Sequence, residues 1–219
     1  MQSRKVIWTV FLAGVFIVSM SVDSFARTKS SSGSYTRAKG GTGTYQKTST
    51  RGNGSYNGSS TWTGDKGKSV TSQSQGTWNK DTGTGNFSSS KTGPNGKTVN
   101  KEGTVTKNAD GTYTKQSTIT GPDGKTGNVT STSSKNDDGS RSVQTTATGP
   151  NGTTVANNKT ITRDESGREV SGNYTTSKGN SGSYSKQTTD QDGSKVTTTT
   201  WTDKDGNVHT WDKSITPTP

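Results

Sequence analysis

The chain has no cysteine, so the usual means of stabilising a small exported domain is absent. Its leucine, Leu12, and both methionines, Met1 and Met20, lie within the first 26 residues, and the remaining sequence contains neither residue type. Hydrophobic residues make up only 20% of the chain. This composition alone favours disorder over a packed core. A folded state would therefore depend on backbone hydrogen bonds and on cross-strand side-chain pairs.

Residues that could carry catalysis are equally scarce. The chain has one histidine, His209, and neither a G-x-S-x-G elbow nor a P-loop. The carboxylates fall mostly in turn sequences, where hydrogen bonds to the turn backbone account for them. Asp203-x-Asp205-Gly206-Asn207 is similar to part of a calcium loop, but the glycine is misplaced and the final Glu is missing, which favours a turn. We therefore expect no enzymatic activity, no catalytic residues, no cofactor and no metal ion.

The N-terminus has the organisation of a secretory signal peptide. Arg4 and Lys5 form a positive segment, Val6 to Val18 is almost entirely apolar, and Ser24-Phe25-Ala26 supplies small residues for cleavage. This predicts a signal peptide over residues 1–26 and no transmembrane segment after its removal. We expect a secreted protein that is extracellular or located at the cell surface, with the periplasm as an alternative.

A period of 28 residues runs through the rest of the chain. Thr-Gly-Pro-[Asn/Asp]-Gly occurs at 92–96, 120–124 and 148–152, and a second turn signal lies halfway between copies at Asp110-Gly111 and Asp138-Gly139. In the first motif, Pro fixes one corner, Asn or Asp takes the next position, and Gly adopts the left-handed conformation that closes a bulged hairpin. The intervening segments have the length of strands and are rich in Thr and Val.

These observations predict an all-β fold. We expect a repetitive antiparallel β-hairpin meander of about ten to twelve short strands, twisted or curling toward a barrel. A β-solenoid with 28 residues per coil is the alternative. The hairpin array is predicted over residues 60–213. Residues 27–59 are expected to be flexible or degenerate repeats, and residues 214–219 a disordered tail.

Aromatic residues follow glycine at a fixed spacing, as in Gly33-Ser34-Tyr35 and Gly76-Thr77-Trp78. Such rings could stack on sugars or bases, or could pack over neighbouring glycine backbone; the shortage of other apolar residues favours packing. Trp201 and Trp211 flank Asp205-Gly206, which predicts a cross-strand indole pair. The candidate ligand-binding residues are Tyr113, Tyr174, Tyr184, Trp201 and Trp211.

The net charge is +11, and the lysines are dispersed along the chain. The repeat without a convergent chemical site favours a secreted structural, surface or matrix protein. The alternative is an extracellular binding module for polyanions or glycans. Its partners would be acidic polysaccharide, lipopolysaccharide or extracellular nucleic acid, held by weak multipoint contacts. Exposed edge strands could also mediate self-association.

Triplets such as Thr104-Val105-Thr106 and Thr118-Ile119-Thr120 resemble the Thr-lined strands of β-helical ice-binding proteins. The resemblance covers only these triplets, because the cysteines and the single triplet per coil of those proteins are missing. It implies ice binding as a third possible function.

Overall fold

The computed structural model describes residues 26–37 and 41–217. The predicted signal peptide, except for Ala26, lies outside the described residues. Nothing in the described part of the chain forms a helix that could cross a membrane.

Fourteen strands follow one another along the chain. They are β1 Arg27–Arg37, β2 Thr42–Gly52, β3 Ser55–Gly64, β4 Ser69–Asn79, β5 Thr84–Thr92, β6 Thr98–Lys107, β7 Tyr113–Thr120, β8 Thr126–Lys135, β9 Arg141–Thr148, β10 Thr154–Asp164, β11 Gly167–Thr176, β12 Ser181–Gln191, β13 Ser194–Thr202 and β14 Val208–Pro217. Each strand pairs with the next in an antiparallel ladder, and β1 pairs with β14 to close a barrel. The predicted all-β antiparallel hairpin meander is confirmed, whereas the solenoid alternative is wrong because consecutive strands reverse direction.

The strand number and the closure differ from the sequence-based expectation. The segment 27–59 contains β1, β2 and the first half of β3, and β14 continues through residues 214–217 of the predicted tail. The additional strands at the N-terminus allow the array to close on itself. In these strands Ser and Thr hydroxyls pair across the sheet, as in Thr28 with Thr50, even though the Gly-Pro turn signals are missing.

Closure also limits the predicted self-association through edge strands. The pairing of β1 with β14 joins Gly33–Arg37 to Lys213–Pro217 in antiparallel register. Backbone groups in these halves of the two terminal strands are therefore engaged within the chain. Residues 27–32 of β1 and 208–212 of β14 lie outside the pairing between these two strands.

The Gly-Pro-[Asn/Asp]-Gly turns have the predicted geometry. Gly96 has φ of 74°, and Gly124 and Gly152 at the equivalent positions have φ of 75°. In the first copy the Gly96 N–H donates to the Gly93 carbonyl at 3.0 Å, and the Gly93 N–H donates to the Lys97 carbonyl at 2.9 Å. This is a type I turn followed by a glycine bulge, as the turn chemistry predicts.

The two faces of the sheet differ sharply in burial. Side chains alternate between faces along each strand, and Tyr35, Val143 and Val170 on one face are 3%, 1% and 6% exposed. Side chains on this face also converge: the Lys213 ammonium lies 4.2 Å from the Trp62 ring centroid, although three strand intervals separate β14 from β3. We call this the inner face and the opposite one the outer face.

Candidate functional site: a basic and aromatic inner face

Aromatic rings and glycines on the inner face form reciprocal cross-strand pairs. Tyr35 lies opposite Gly43, and Tyr45 on the same strand as Gly43 lies opposite Gly33. The same exchange occurs between Gly76-x-Trp78 and Gly85-x-Phe87 and between Gly172-x-Tyr174 and Gly182-x-Tyr184. Because both strands carry the Gly-x-aromatic spacing, the ring of each strand lies directly opposite the glycine of its neighbour.

At four of these glycines, Gly43, Gly85, Gly172 and Gly182, the opposing ring occupies part of the space where a side chain would lie. A Cβ atom added to Gly43 would lie 2.6 Å from Cζ of Tyr35, and one added to Gly85 would lie 3.0 Å from Cε3 of Trp78. The packing role favoured from the sequence is confirmed at these positions. Tyr45 and Trp62 extend the same surface by stacking at a centroid distance of 5.0 Å.

The five candidate ligand-binding residues all lie on the inner face but do not form one cluster. Tyr113 lies near the β6–β7 turn, with its ring centroid 6.1 Å from that of Trp78. Tyr174 covers Gly182 on the neighbouring strand. Tyr184 crosses β11 and its hydroxyl donates a hydrogen bond to Oδ1 of Asn157 at 3.1 Å.

The predicted Trp201–Trp211 pair is replaced by a different one. Trp201 lies opposite His209, and the two rings stack at a centroid distance of 5.0 Å. Trp211 lies opposite Thr199 and is 45% exposed. The indoles are therefore offset by one inner-face position. The loop between β13 and β14 contains an additional bulged residue, which shifts the register.

The calcium-like motif in that loop forms a turn. Asp203 Oδ1 accepts hydrogen bonds from the backbone N–H groups of Asp205 and Asn207, both at 2.9 Å. A further hydrogen bond from the Asn207 side chain is the largest cause of a lowered Asp203 pKa, at about 2. The Asp203 carboxylate is therefore engaged in hydrogen bonds within its own loop.

Charged residues are segregated between the two faces. The outer face of the described strands has no lysine or arginine, and it carries Glu102, Asp164, Glu169 and Asp212 among its Thr, Ser, Asn and Gln residues. On the inner face the described strands have one acid, Asp190, which binds Lys195 at 3.2 Å. The described lysines and arginines of the strands lie on the inner face: Arg27, Lys29, Lys47, Arg51, Lys91, Lys101, Lys107, Lys115, Lys135, Arg141, Lys159, Arg163, Arg168, Lys186, Lys195 and Lys213.

Several of these cations face one another directly across strands. The pairs are Arg27 with Arg51, Lys135 with Arg141, and Arg163 with Arg168. All three pairs lie at the end of the barrel that carries the β2–β3, β8–β9 and β10–β11 turns, and we call these six residues the basic end. Like charges directly opposite each other destabilise a sheet. Their repetition therefore concentrates positive charge at this end of the barrel.

A second group of cations lies nearer the middle of the barrel wall. Lys115 places its ammonium 3.7 Å from the Phe87 ring centroid. Burial, and next the positive charge of Lys101, lower the pKa of Lys115 to about 8. Burial also lowers the pKa of Lys101 itself. Between them in register lie Gly103 and Ser117, whose small size leaves space for both long side chains.

The lowered pKa of Lys115 predicts that stability rises with pH above about 8. An unfolded lysine titrates near about 10.4, so between these values the unfolded chain binds more protons than the folded chain, and the free energy of unfolding increases with pH. Urea unfolding at about pH 7.5 and about pH 9.5 measures this change. The Lys115→Gln variant should show a smaller increase. An identical increase in the variant would contradict the assignment to Lys115.

An open depression of about 670 Å³ lies on the outer face and extends from β2 to β7. Hydroxyl and amide side chains line most of it, among them Thr48, Asn57, Gln73, Ser90 and Asn100. It contains no aromatic ring and no paired charges of the kind found on the inner face.

The segregation of charge is not apparent in the linear sequence, where the lysines are dispersed. The signal lies in the alternation along each strand: Lys101, Lys115 and Lys159 occupy the same alternate positions as most of the valines and the rings. The sequence matches no known family model, no curated protein and no solved structure.

Proposed function

We propose that this protein is an extracellular binding module for an anionic polysaccharide, which it holds against the inner face of the barrel. The segregation of charge carries the proposal. Within the described strands the lysines and arginines face inward, whereas four of the five acidic residues face outward, so the inner face is a positive surface. A purely structural role accounts for the repeated hairpins, but it provides no reason to place like charges directly opposite one another.

Four inner-face cations, Lys101, Lys115, Lys159 and Arg168, have lost part of their hydration, and no described carboxylate forms an ion pair with them. Lys159 is 8% exposed, and its pKa is lowered first by burial and next by the charge of Arg168. Within the described residues, the one strand carboxylate on this face is already bound to Lys195. Buried charges are normally paired, so an anionic ligand would supply the missing counter-charge.

The aromatic residues favour a sugar polymer over single-stranded nucleic acid. Binding of single strands relies on free ring faces for base stacking. Here Lys115 lies over Phe87, Lys213 over Trp62 at 4.2 Å, and Arg51 over Tyr56 at 5.3 Å. Other rings, those of Tyr35, Trp78 and Tyr174, lie close to the backbone of a glycine on the neighbouring strand. Charge and hydrogen bonding are therefore the contacts left for a ligand.

The test is titration of the mature chain with heparin, with polygalacturonate and with uncharged dextran, followed by tryptophan fluorescence. We expect binding to the two anionic polymers, with log Kd rising linearly with log salt concentration because counterions are released. Dextran should not bind. Equal affinity for dextran, or no response to either acidic polymer at low salt, would overturn the proposal.

Matched variants separate the inner face from total charge. Lys101→Gln with Lys115→Gln removes two inward cations, whereas Lys97→Gln with Lys125→Gln removes two exposed turn lysines. We expect the first double variant to lose most of its affinity and the second to bind nearly as the parent does. An oligonucleotide of equal charge serves as the competing ligand, and tighter binding to it would favour nucleic acid.

A further inference from the structure

Three cations of the β10–β11 hairpin converge on the inner face. Arg163 lies directly opposite Arg168, and the next inner pair is Ile161 with Val170. Lys159 follows opposite Gly172. Lys159 and Arg168 therefore approach each other diagonally across one apolar pair.

The Arg168 guanidinium has an unused donor. Its Nε is buried and makes no hydrogen bond to any described residue. Burial, and next the charge of Arg163, lower the pKa of Arg168. A buried N–H without an acceptor costs free energy comparable to a lost hydrogen bond, so this atom marks a place where an acceptor is required.

The acidic residues of the hairpin do not meet this requirement. Asp164 and Glu169 occupy outer-face positions. Asp164 instead caps its own turn, where its Oδ1 accepts the Ser166 N–H at 2.9 Å. Asp190, the inner-face carboxylate on β12, is bound to Lys195. No described carboxylate forms an ion pair with Arg163, Arg168 or Lys159.

The side of the cluster away from the basic end is closed by polar groups. A Cβ added to Gly172 would lie 2.9 Å from Cβ of Lys159 and 2.8 Å from the Tyr184 hydroxyl oxygen, so both side chains use the space over this glycine. Tyr184 is held by its bond to Asn157, which is 4% exposed. The cluster therefore has a wall on one side and the mouth of the barrel on the other.

We propose that Arg168, Arg163 and Lys159 form an oxyanion subsite that holds one sulfate, phosphate or carboxylate group of the ligand. The subsite deepens the proposed function and rests on it for the identity of the polymer. The guanidinium fork of Arg168 would donate through Nε and a terminal nitrogen to two oxygens of the group, a geometry that lysine cannot supply. Lys159 and Arg163 would add charge on either side.

Inorganic sulfate is the probe for this subsite. The mature chain, labelled with ¹⁵N, is titrated with sodium sulfate and separately with sodium chloride at matched ionic strength. We expect a saturable shift of the Arg168 Nε–H resonance with sulfate and none with chloride. A shift that grows without saturation, or equal shifts with the two salts, would overturn the proposal and indicate an adventitious ion only.

Two variants test the fork. Arg168→Lys keeps the charge but removes the paired donors, and we expect sulfate to bind about tenfold or more weakly. Lys97→Gln, in an exposed turn, should leave the sulfate affinity unchanged. Equal sulfate affinity in Arg168→Lys and the parent would refute recognition by the paired donors of Arg168. The titration of the parent chain shows whether the site exists, even if a variant folds poorly.

The polymer titration distinguishes this subsite from the proposed function. If heparin and polygalacturonate bind the parent while sulfate does not saturate, the subsite is wrong and the polysaccharide function stands. If sulfate saturates while neither polymer binds, the function is wrong and the cluster is a site for a small oxyanion.

Discussion

Replacement of Gly182 by valine is expected to lower the free energy of unfolding by about 2–4 kcal/mol. A Cβ at this position would lie 2.7 Å from Cε1 of Tyr174, and it would also approach the backbone carbonyl of Thr202. Both neighbours are fixed, Tyr174 by its place in the reciprocal pair and Thr202 by its ladder with β12 and β14. The added methyl groups therefore force the ring away from the strand or separate β12 from its neighbours.

Urea unfolding of residues 27–219 measures this loss. Ser183→Val is the matched control, because Ser183 is the next residue of β12 and points to the exposed outer face. We expect the control to change the free energy of unfolding by less than about 0.5 kcal/mol. Comparable losses in both variants would show that valine disturbs β12 itself and that the ring–glycine contact has no special role.

A double-mutant cycle with Tyr174→Ala separates the ring from the backbone contact. If the clash involves the ring, the cost of Gly182→Val should shrink in the Tyr174→Ala background, because the alanine leaves space for the new side chain. Strict additivity of the two changes would assign the whole cost to the Thr202 carbonyl.

The turns were predictable because their determinants are local. In Gly93-Pro94-Asn95-Gly96, the fixed φ of proline and the left-handed glycine specify the reversal within a few residues. The C-terminal hairpin shows the limit of such reasoning. Trp201 and Trp211 flank the Asp205-Gly206 turn in the sequence, yet the hairpin, with a bulge at Gly206 (φ of 81°), brings His209 opposite Trp201.

Closure of the barrel was not predictable from local patterns. It depends on the pairing of Gly33–Arg37 with Lys213–Pro217, segments from the two ends of the described chain. No turn motif joins them, and their contact requires the accumulated twist of all the intervening strands. The site depends on this closure too, because Lys213 reaches Trp62 across the junction between β14 and β1.

The faces of the strands were predictable in principle once the register was known. Along β6 the alternate residues Val99, Lys101 and Val105 share the inner face, while Asn100 and Glu102 share the outer face. The lysines are dispersed along the sequence, but those in the described strands all lie on the inner face.

Replacement of Lys135 and Arg163 by threonine is expected to stabilise the fold while it weakens binding. Each substitution removes one member of a like-charge pair, opposite Arg141 and Arg168 respectively, and each should add about 0.2–1 kcal/mol to the free energy of unfolding at low salt. The gain should diminish at high salt because screening already reduces the repulsion. Affinity for heparin should fall, and the salt dependence of log Kd should become shallower by about one unit per lost contact.

The control for this double variant is Lys97→Thr with Lys125→Thr. Both lysines follow a bulge glycine in an exposed turn, and Thr153 occupies the equivalent position in the third copy of the motif. The control has the same net charge as the Lys135→Thr, Arg163→Thr variant, so equal losses of heparin affinity would mean that total charge alone governs binding. Opposite changes in stability and affinity, confined to the inner-face variant, would show that the basic end is maintained for a ligand at the expense of the fold. A parallel loss of both properties would instead assign these cations a structural role.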